Sequence, residues 1–150
     1  TLRDLTDRPT LITFFYTRCQ NNYKCSAALT RFTTLQATMR RLGLADKVRL
    51  LAITYEPDFD DSERLNRFGG DRGMKFTNGA QALKLDDTKH KSFVLALKAP
   101  VSFNGAAVNT HGVALHILDA KGRLVRQYHT LLWDNDQVVQ DIKQLLAETN

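Results

Sequence analysis

A chain of 150 residues, 43% hydrophobic and 25% charged, holds enough apolar material for one folded core and is too short for a second. Its formal net charge of +5 is dispersed in short groups such as Arg40-Arg41 and Lys89-His90-Lys91, not the long basic stripe with interleaved aromatics that reads nucleic acid. No run approaches the roughly 18 to 20 apolar residues that cross a bilayer; no signal peptide is present, and the start at Thr1 reads as a processed or trimmed chain.

In chain order, Leu11-Ile-Thr-Phe-Phe-Tyr16 is a short apolar, β-branched run after Pro9, the pattern of a strand buried on both faces. From Ser26 to Leu42 the period changes. Leu29, Phe32, Leu35, Met39 and Leu42 recur every three or four residues and make one apolar stripe on a helix that Gly43 ends. Val48 to Thr54 is a second buried strand. Asp61-Ser62 caps a short helix to about Phe68, broken by Gly69-Gly70, and Gln81 to Leu85 reads as a brief strand. Thr88 to Lys98 has Phe93, Val94 and Leu97 at helical spacing. Pro100 to Thr110, with Gly105 and many small residues, reads as a loop. Val113 to Leu118, the turn Asp119-Ala-Lys-Gly122 and Arg123 to His129 form the clearest hairpin, and Asp134 or Asn135 caps a last helix through Leu146.

This order predicts a single α/β domain over residues 1–150 with a thioredoxin-like layout. A right-handed crossover makes the first two strands parallel, the hairpin adds antiparallel strands to a central mixed sheet, and helices cover both faces.

Both cysteines of the chain, Cys19 and Cys25, fall between the first strand and the long helix, in FFYTRCQNNYKC. A helix N-terminus favours the thiolate, and Arg18 and Lys24 push the same way. Thiolates attack disulfides and bind soft metals, so the local chemistry suits redox or metal work. Five residues separate the cysteines, where a thioredoxin-type motif has two. Six positions along a regular helix would part their Cα atoms by about 9 Å, beyond the roughly 7 Å a disulfide spans. Gln20 to Lys24 must therefore loop back if the thiols are to meet, and Asn21-Asn22 can supply the turn. A purely structural disulfide would add only about 2 to 2.5 kcal/mol.

Of the four histidines, His90 lies among lysines and reads as solvated, while His116 and His129 fit packing or surface positions on strands. His111, in Asn109-Thr-His111-Gly112, enters the hairpin from a loop that passes beside the cysteine turn in a thioredoxin-like layout. If the three form one site, a His111 ring nitrogen should lie within about 8 Å of a sulfur, since ligation finally needs bonds of about 2 Å.

Together, FFYTRC…C, AITYEPDFDD and THGVALHILDAKGRLVRQY resemble the Sco/SenC family of copper-binding, thioredoxin-like proteins, from Thr10 to the final helix. The matching positions are Thr17, Cys19, Cys25, Glu56-Pro57, His111 and Asp119 to Leu124. The resemblance implies a trigonal site in which Cys19, Cys25 and His111 hold one copper ion per chain, as Cu(I) or Cu(II). It further implies delivery of copper to the CuA centre of cytochrome c oxidase, through subunit II or another copper or thiol acceptor, or reduction of that centre's disulfide before loading. A monomer that is periplasmic, or membrane-anchored and facing the periplasm, goes with this reading. The chain departs from the family pattern by five residues between the cysteines instead of three, and by Ser26 in place of a proline after the second.

One other chemistry is open to the same residues, and two more lack a feature they require. Cys19 and Cys25 can serve as a thiol–disulfide oxidoreductase without metal, which has no need of His111. Thr17-Arg-Cys19 is one residue short of the Thr-x-x-Cys of peroxiredoxins, and a structural zinc site would want a fourth ligand.

Overall fold

The run TLITFF becomes strand β1 (Thr10–Phe15), with all six residues buried, because it runs through the middle of the sheet and is covered on both sides. A computed structural model describes residues 7–148. After β1 come a single π-helical turn (Asn22–Ser26), helix α1 (Ala27–Arg41), β2 (Arg49–Thr54), α2 (Ser62–Gly70), β3 (Ala80–Leu83) and α3 (Asp87–Ala96). The chain continues through β4 (Val101–Asn104), β5 (Ala107–His111), β6 (Leu115–Leu118), β7 (Leu124–Tyr128) and α4 (Asn135–Glu148).

Five strands form one sheet in the order β3-β2-β1-β6-β7. β1 pairs parallel with β2, and β2 with β3, whereas β6 runs antiparallel to both β1 and β7. This is the expected mixed sheet. Alternate residues of the central strands feed opposite faces. Leu11, Phe15, Leu50, Ala52, Leu115 and Ile117 pack under α1 and α4 with Phe32, Leu35, Met39, Trp133, Val138 and Ile142. Ile12, Phe14, Leu51, Ile53 and Leu118 pack on the other side under Phe93 and Val94 of α3 and Leu97 at its C-terminal end. Each fully buried Leu, Ile or Phe contributes about 1.5–3 kcal/mol, so the sandwich of helices on both faces carries the stability. The fold is thioredoxin-like.

Two readings of the sequence need correction. The stretch Pro100 to Thr110 is not a loop: β4 and β5 form a hairpin over a two-residue turn, Gly105-Ala106, with Gly105 in the left-handed region at φ 64°. His90 is not solvated. It occupies the inward stripe of α3 with Phe93, Val94 and Leu97, is buried, and its Nε2 lies 3.1 Å from the Thr54 carbonyl.

The register places the chemistry. Thr13 of β1 pairs with Leu115 of antiparallel β6, so the segment leaving β1 and the segment entering β6 emerge at the same end of the sheet. The cysteines follow β1, and His111 precedes β6. Parallel β2 also ends there, with the Tyr55 amide donating to the Phe15 carbonyl at 2.7 Å.

Candidate metal centre

Past Phe15 the chain turns tightly, the Cys19 amide donating to the Tyr16 carbonyl at 3.3 Å. Asn21 then starts the helix: its side-chain oxygen accepts from the Tyr23 amide at 3.0 Å, and its carbonyl accepts from the Lys24 amide. The following turn is π-helical, wider than an α turn, and runs without a break into α1. That wide turn absorbs the long spacer and brings Cys25 back beneath Cys19. Cys25 is 1% exposed and packs in the core with Leu29, whereas Cys19 is half-buried at the surface; both are free thiols.

His111, the last residue of β5, reaches the pair from across the fold. Its Nε2 lies 3.5 Å from Cys19 Sγ and 3.7 Å from Cys25 Sγ, well inside the expected 8 Å. Nδ1–H donates to the Gly112 carbonyl at 2.9 Å, and since a carbonyl only accepts, this bond fixes the tautomer and aims the Nε2 lone pair at the sulfurs. The Tyr16 ring stands edge-on to the imidazole at 5.2 Å, and Lys24 Nζ donates to the His111 carbonyl at 2.8 Å.

The electrostatics of the two thiols are opposed. Partial burial works to raise Cys19, but hydrogen bonds from Cys25 and the surrounding backbone outweigh it and hold this thiol below its ordinary pKa. Burial pushes the Cys25 thiol up, and the neighbouring Cys19 adds to the effect. Burial also lowers the His111 imidazole against the bond to the Gly112 carbonyl, with Lys24 working the same way as burial, which favours the neutral ring.

Two sulfurs and one imidazole nitrogen lie within 4.8 Å of one another, and among the described residues no other group of three or more His, Cys, Asp or Glu side chains converges in this way. A trigonal ion with bonds of about 2.3 Å to sulfur and about 2.0 Å to nitrogen would set sulfur and nitrogen about 3.7 Å apart. The two observed nitrogen–sulfur separations match this. The donor set is soft enough for a thiophilic ion, and three donors leave a tetrahedral zinc site one ligand short.

A family model described as SCO1/SenC matches residues 1–147. The chain belongs to the SCO1/SenC family. The fold agrees with solved SCO1/SenC structures. A SCO1/SenC family lipoprotein from Bacillus anthracis superposes with a TM-score of 0.81 at 20% identity, over 95% of this chain and 84% of that one. BsSco, described as a member of the Sco family of cytochrome c oxidase assembly proteins with a disulfide switch, gives 0.78 at 19% identity, over 95% and 82%. Bradyrhizobium japonicum ScoI, solved with copper bound, gives 0.72 at 20% identity, over 96% and 88%. No curated protein sequence matches the chain.

The structure therefore brings together Cys19, Cys25 and His111, and leaves the other histidines away from them. His90 and His116 are buried in the second core, and His129 is at the surface. Sequence reasoning gave no role to Glu56 and Asp60, which are buried next to the site and hydrogen-bonded to the cysteine segment. The signal available was the family likeness, which includes Glu56-Pro57 as a matching pair and Asp60 within AITYEPDFDD without assigning either a role.

Proposed function

We propose that this protein binds one copper ion per chain through Cys19, Cys25 and His111, and carries it as cargo to the CuA centre of cytochrome c oxidase. The observation that carries the reading is the convergence of two sulfurs and an orientated imidazole nitrogen, all within 4.8 Å of one another. Two thiolates suit Cu(I), and the imidazole accommodates Cu(II). Support for the cargo comes from the copper-bound relative, and support for the destination from the relative described as a cytochrome c oxidase assembly protein. The acceptor in this reading is subunit II or another protein offering thiol and imidazole ligands. Half-buried Cys19 is the donor that an acceptor's ligand reaches first. A monomer working outside the cytoplasm, periplasmic or held at the membrane, fits this role; one structural relative is a lipoprotein. Among the described residues no helix is long and apolar enough to cross a membrane.

A second reading uses the same thiols without metal, and the opposed pKa values of Cys19 and Cys25 favour it. The Cys19 thiolate would attack a partner disulfide, and Cys25 would then displace the mixed disulfide. The pair loses two electrons and two protons, and the partner leaves as a dithiol.

Metal titration of reduced protein separates the two. Copper should bind at one ion per chain, and His111→Ala should weaken Cu(II) much more than Cu(I), while Cys19→Ser or Cys25→Ser should damage both. If His111→Ala leaves copper binding unchanged and the wild type reduces disulfides, the oxidoreductase reading replaces the copper one.

A further inference from the structure

Two buried carboxylates lie next to the site without touching a sulfur or the imidazole. Glu56, 2% exposed, follows β2. Its Oε2 accepts from Arg18 Nε at 2.6 Å, and its Oε1 accepts from the Val108 backbone amide at 2.8 Å. Arg18 immediately precedes Cys19, and Val108 lies in β5, the strand that ends in His111. One carboxylate therefore holds both segments that supply donors. Asp60, fully buried, secures the cysteine side: it accepts from the Thr17 amide at 3.1 Å and from the hydroxyls of Thr17 and Thr54. The Arg18 guanidinium lies 4.3 Å over the Phe59 ring, so the arginine is packed as well as paired.

A carboxylate is costly to bury, and is kept where its oxygens are satisfied by well-placed donors. Here the two oxygens serve different segments across a gap that the chain itself closes only through the sheet. The Lys24–His111 bond crosses the same gap, but through a flexible four-carbon stem to a single acceptor, so it restricts geometry less. We propose that Glu56 is the positioning residue of the Cys19–Cys25–His111 site: bonded to Arg18 on one side and Val108 on the other, it holds the cysteine loop and the His111 hairpin in register before any ion is present.

The effect on copper rests on the function proposed above, but the brace does not, so the test starts from reduced, metal-free protein. Arg18 and Val108 donate to different oxygens, and Glu56→Gln turns one of these into an NH2 that cannot accept, so in the native geometry one of the two bonds is lost. Cys25 is 1% exposed and reacts with iodoacetamide only when the loop opens. Its alkylation, followed by peptide mass, should speed up about tenfold in Glu56→Gln with far-UV circular dichroism unchanged, the order of effect found when groups supporting a site are removed. Arg18→Ala breaks the same arm from the surface, where that side chain is 47% exposed, and should accelerate Cys25 equally; this variant decides the matter if Glu56→Gln does not fold. Arg18→Lys keeps a donor within reach of Glu56 and should restore the slow rate. In copper titrations Glu56→Gln should bind about 10- to 100-fold more weakly. Cys25 reacting at the wild-type rate in Arg18→Ala, or no restoration by Arg18→Lys, overturns the brace. Faster alkylation in the variants of a protein whose wild type takes up no copper supports the brace and removes the copper reading instead.

Discussion

His116 should make the protein lose stability in mild acid, before its carboxylates protonate. It lies in β6 with 0% exposure, edge-on to Phe14, its Nδ1 accepting from the Gln127 amide at 3.2 Å. Burial pushes its pKa from 6.5 down to about 4, and nearby His129 adds to the effect. A base with a lowered folded pKa is protonated first in the unfolded chain. Its contribution is therefore complete above about pH 6.5 and drains away as the pH falls toward 4. At about 1.4 kcal/mol per pH unit the whole gap is worth about 3 kcal/mol, of which about 2 kcal/mol is gone by pH 5. His90 and His111 are also lowered by burial and act in the same direction. Asp119, whose Arg123 bonds outweigh its own desolvation and hold its carboxyl low, contributes only at lower pH. Urea unfolding of wild type and His116→Phe from pH 7.5 to 4.5 measures the effect, because phenylalanine fills the same space against Phe14 and cannot titrate. Wild type should lose about 2 kcal/mol more than the variant between pH 7 and pH 5. Equal slopes over that window would refute the reasoning.

Reagent order at the thiols is a second prediction. One equivalent of iodoacetamide at pH 7 should label Cys19 at least about tenfold ahead of buried Cys25, as read by peptide mapping. Leu35→Ala empties a fully buried position under the sheet and should cost about 2–5 kcal/mol in urea unfolding. A Cβ at Gly112 would stand 3.1 Å from Pro100 Cβ and Cγ, so Gly112→Ala should push the residues beside His111 away from Pro100. We expect a stability loss of about 1 kcal/mol and a drop in Cu(II) affinity larger than that in Cu(I) affinity, measured by titration.

The central sheet and the long helix were legible because their burial shows in the spacing of their own residues. β1 and β2 are unbroken apolar runs, and the stripe from Leu29 to Met39 has one period. The hairpin carrying His111 was not read, although Gly105 at the first position of its two-residue turn is a hairpin signal. Its strands are short and mostly half-buried or exposed, and they gain support from Phe103 packing on Tyr55 and His90, which are distant in sequence. His90 was misread from its lysine neighbours, although it falls three, four and seven residues before Phe93, Val94 and Leu97, on their stripe. The three donors were found from their chemistry and the family likeness. Their brace was not, because Glu56 reaches partners 38 and 52 residues away, and no local pattern records such bonds.

His111 lies 86 residues beyond Cys25. At about 5–20 residues per second of synthesis, the cysteines exist for about 4 to 17 seconds before the histidine is made. During that interval the growing chain has two sulfurs and no imidazole, and β1 has no β6 to pair with. The finished site is thus a product of long-range assembly: an ion that needs all three donors finds them only once His111 has been made and its hairpin has docked beside the cysteine turn.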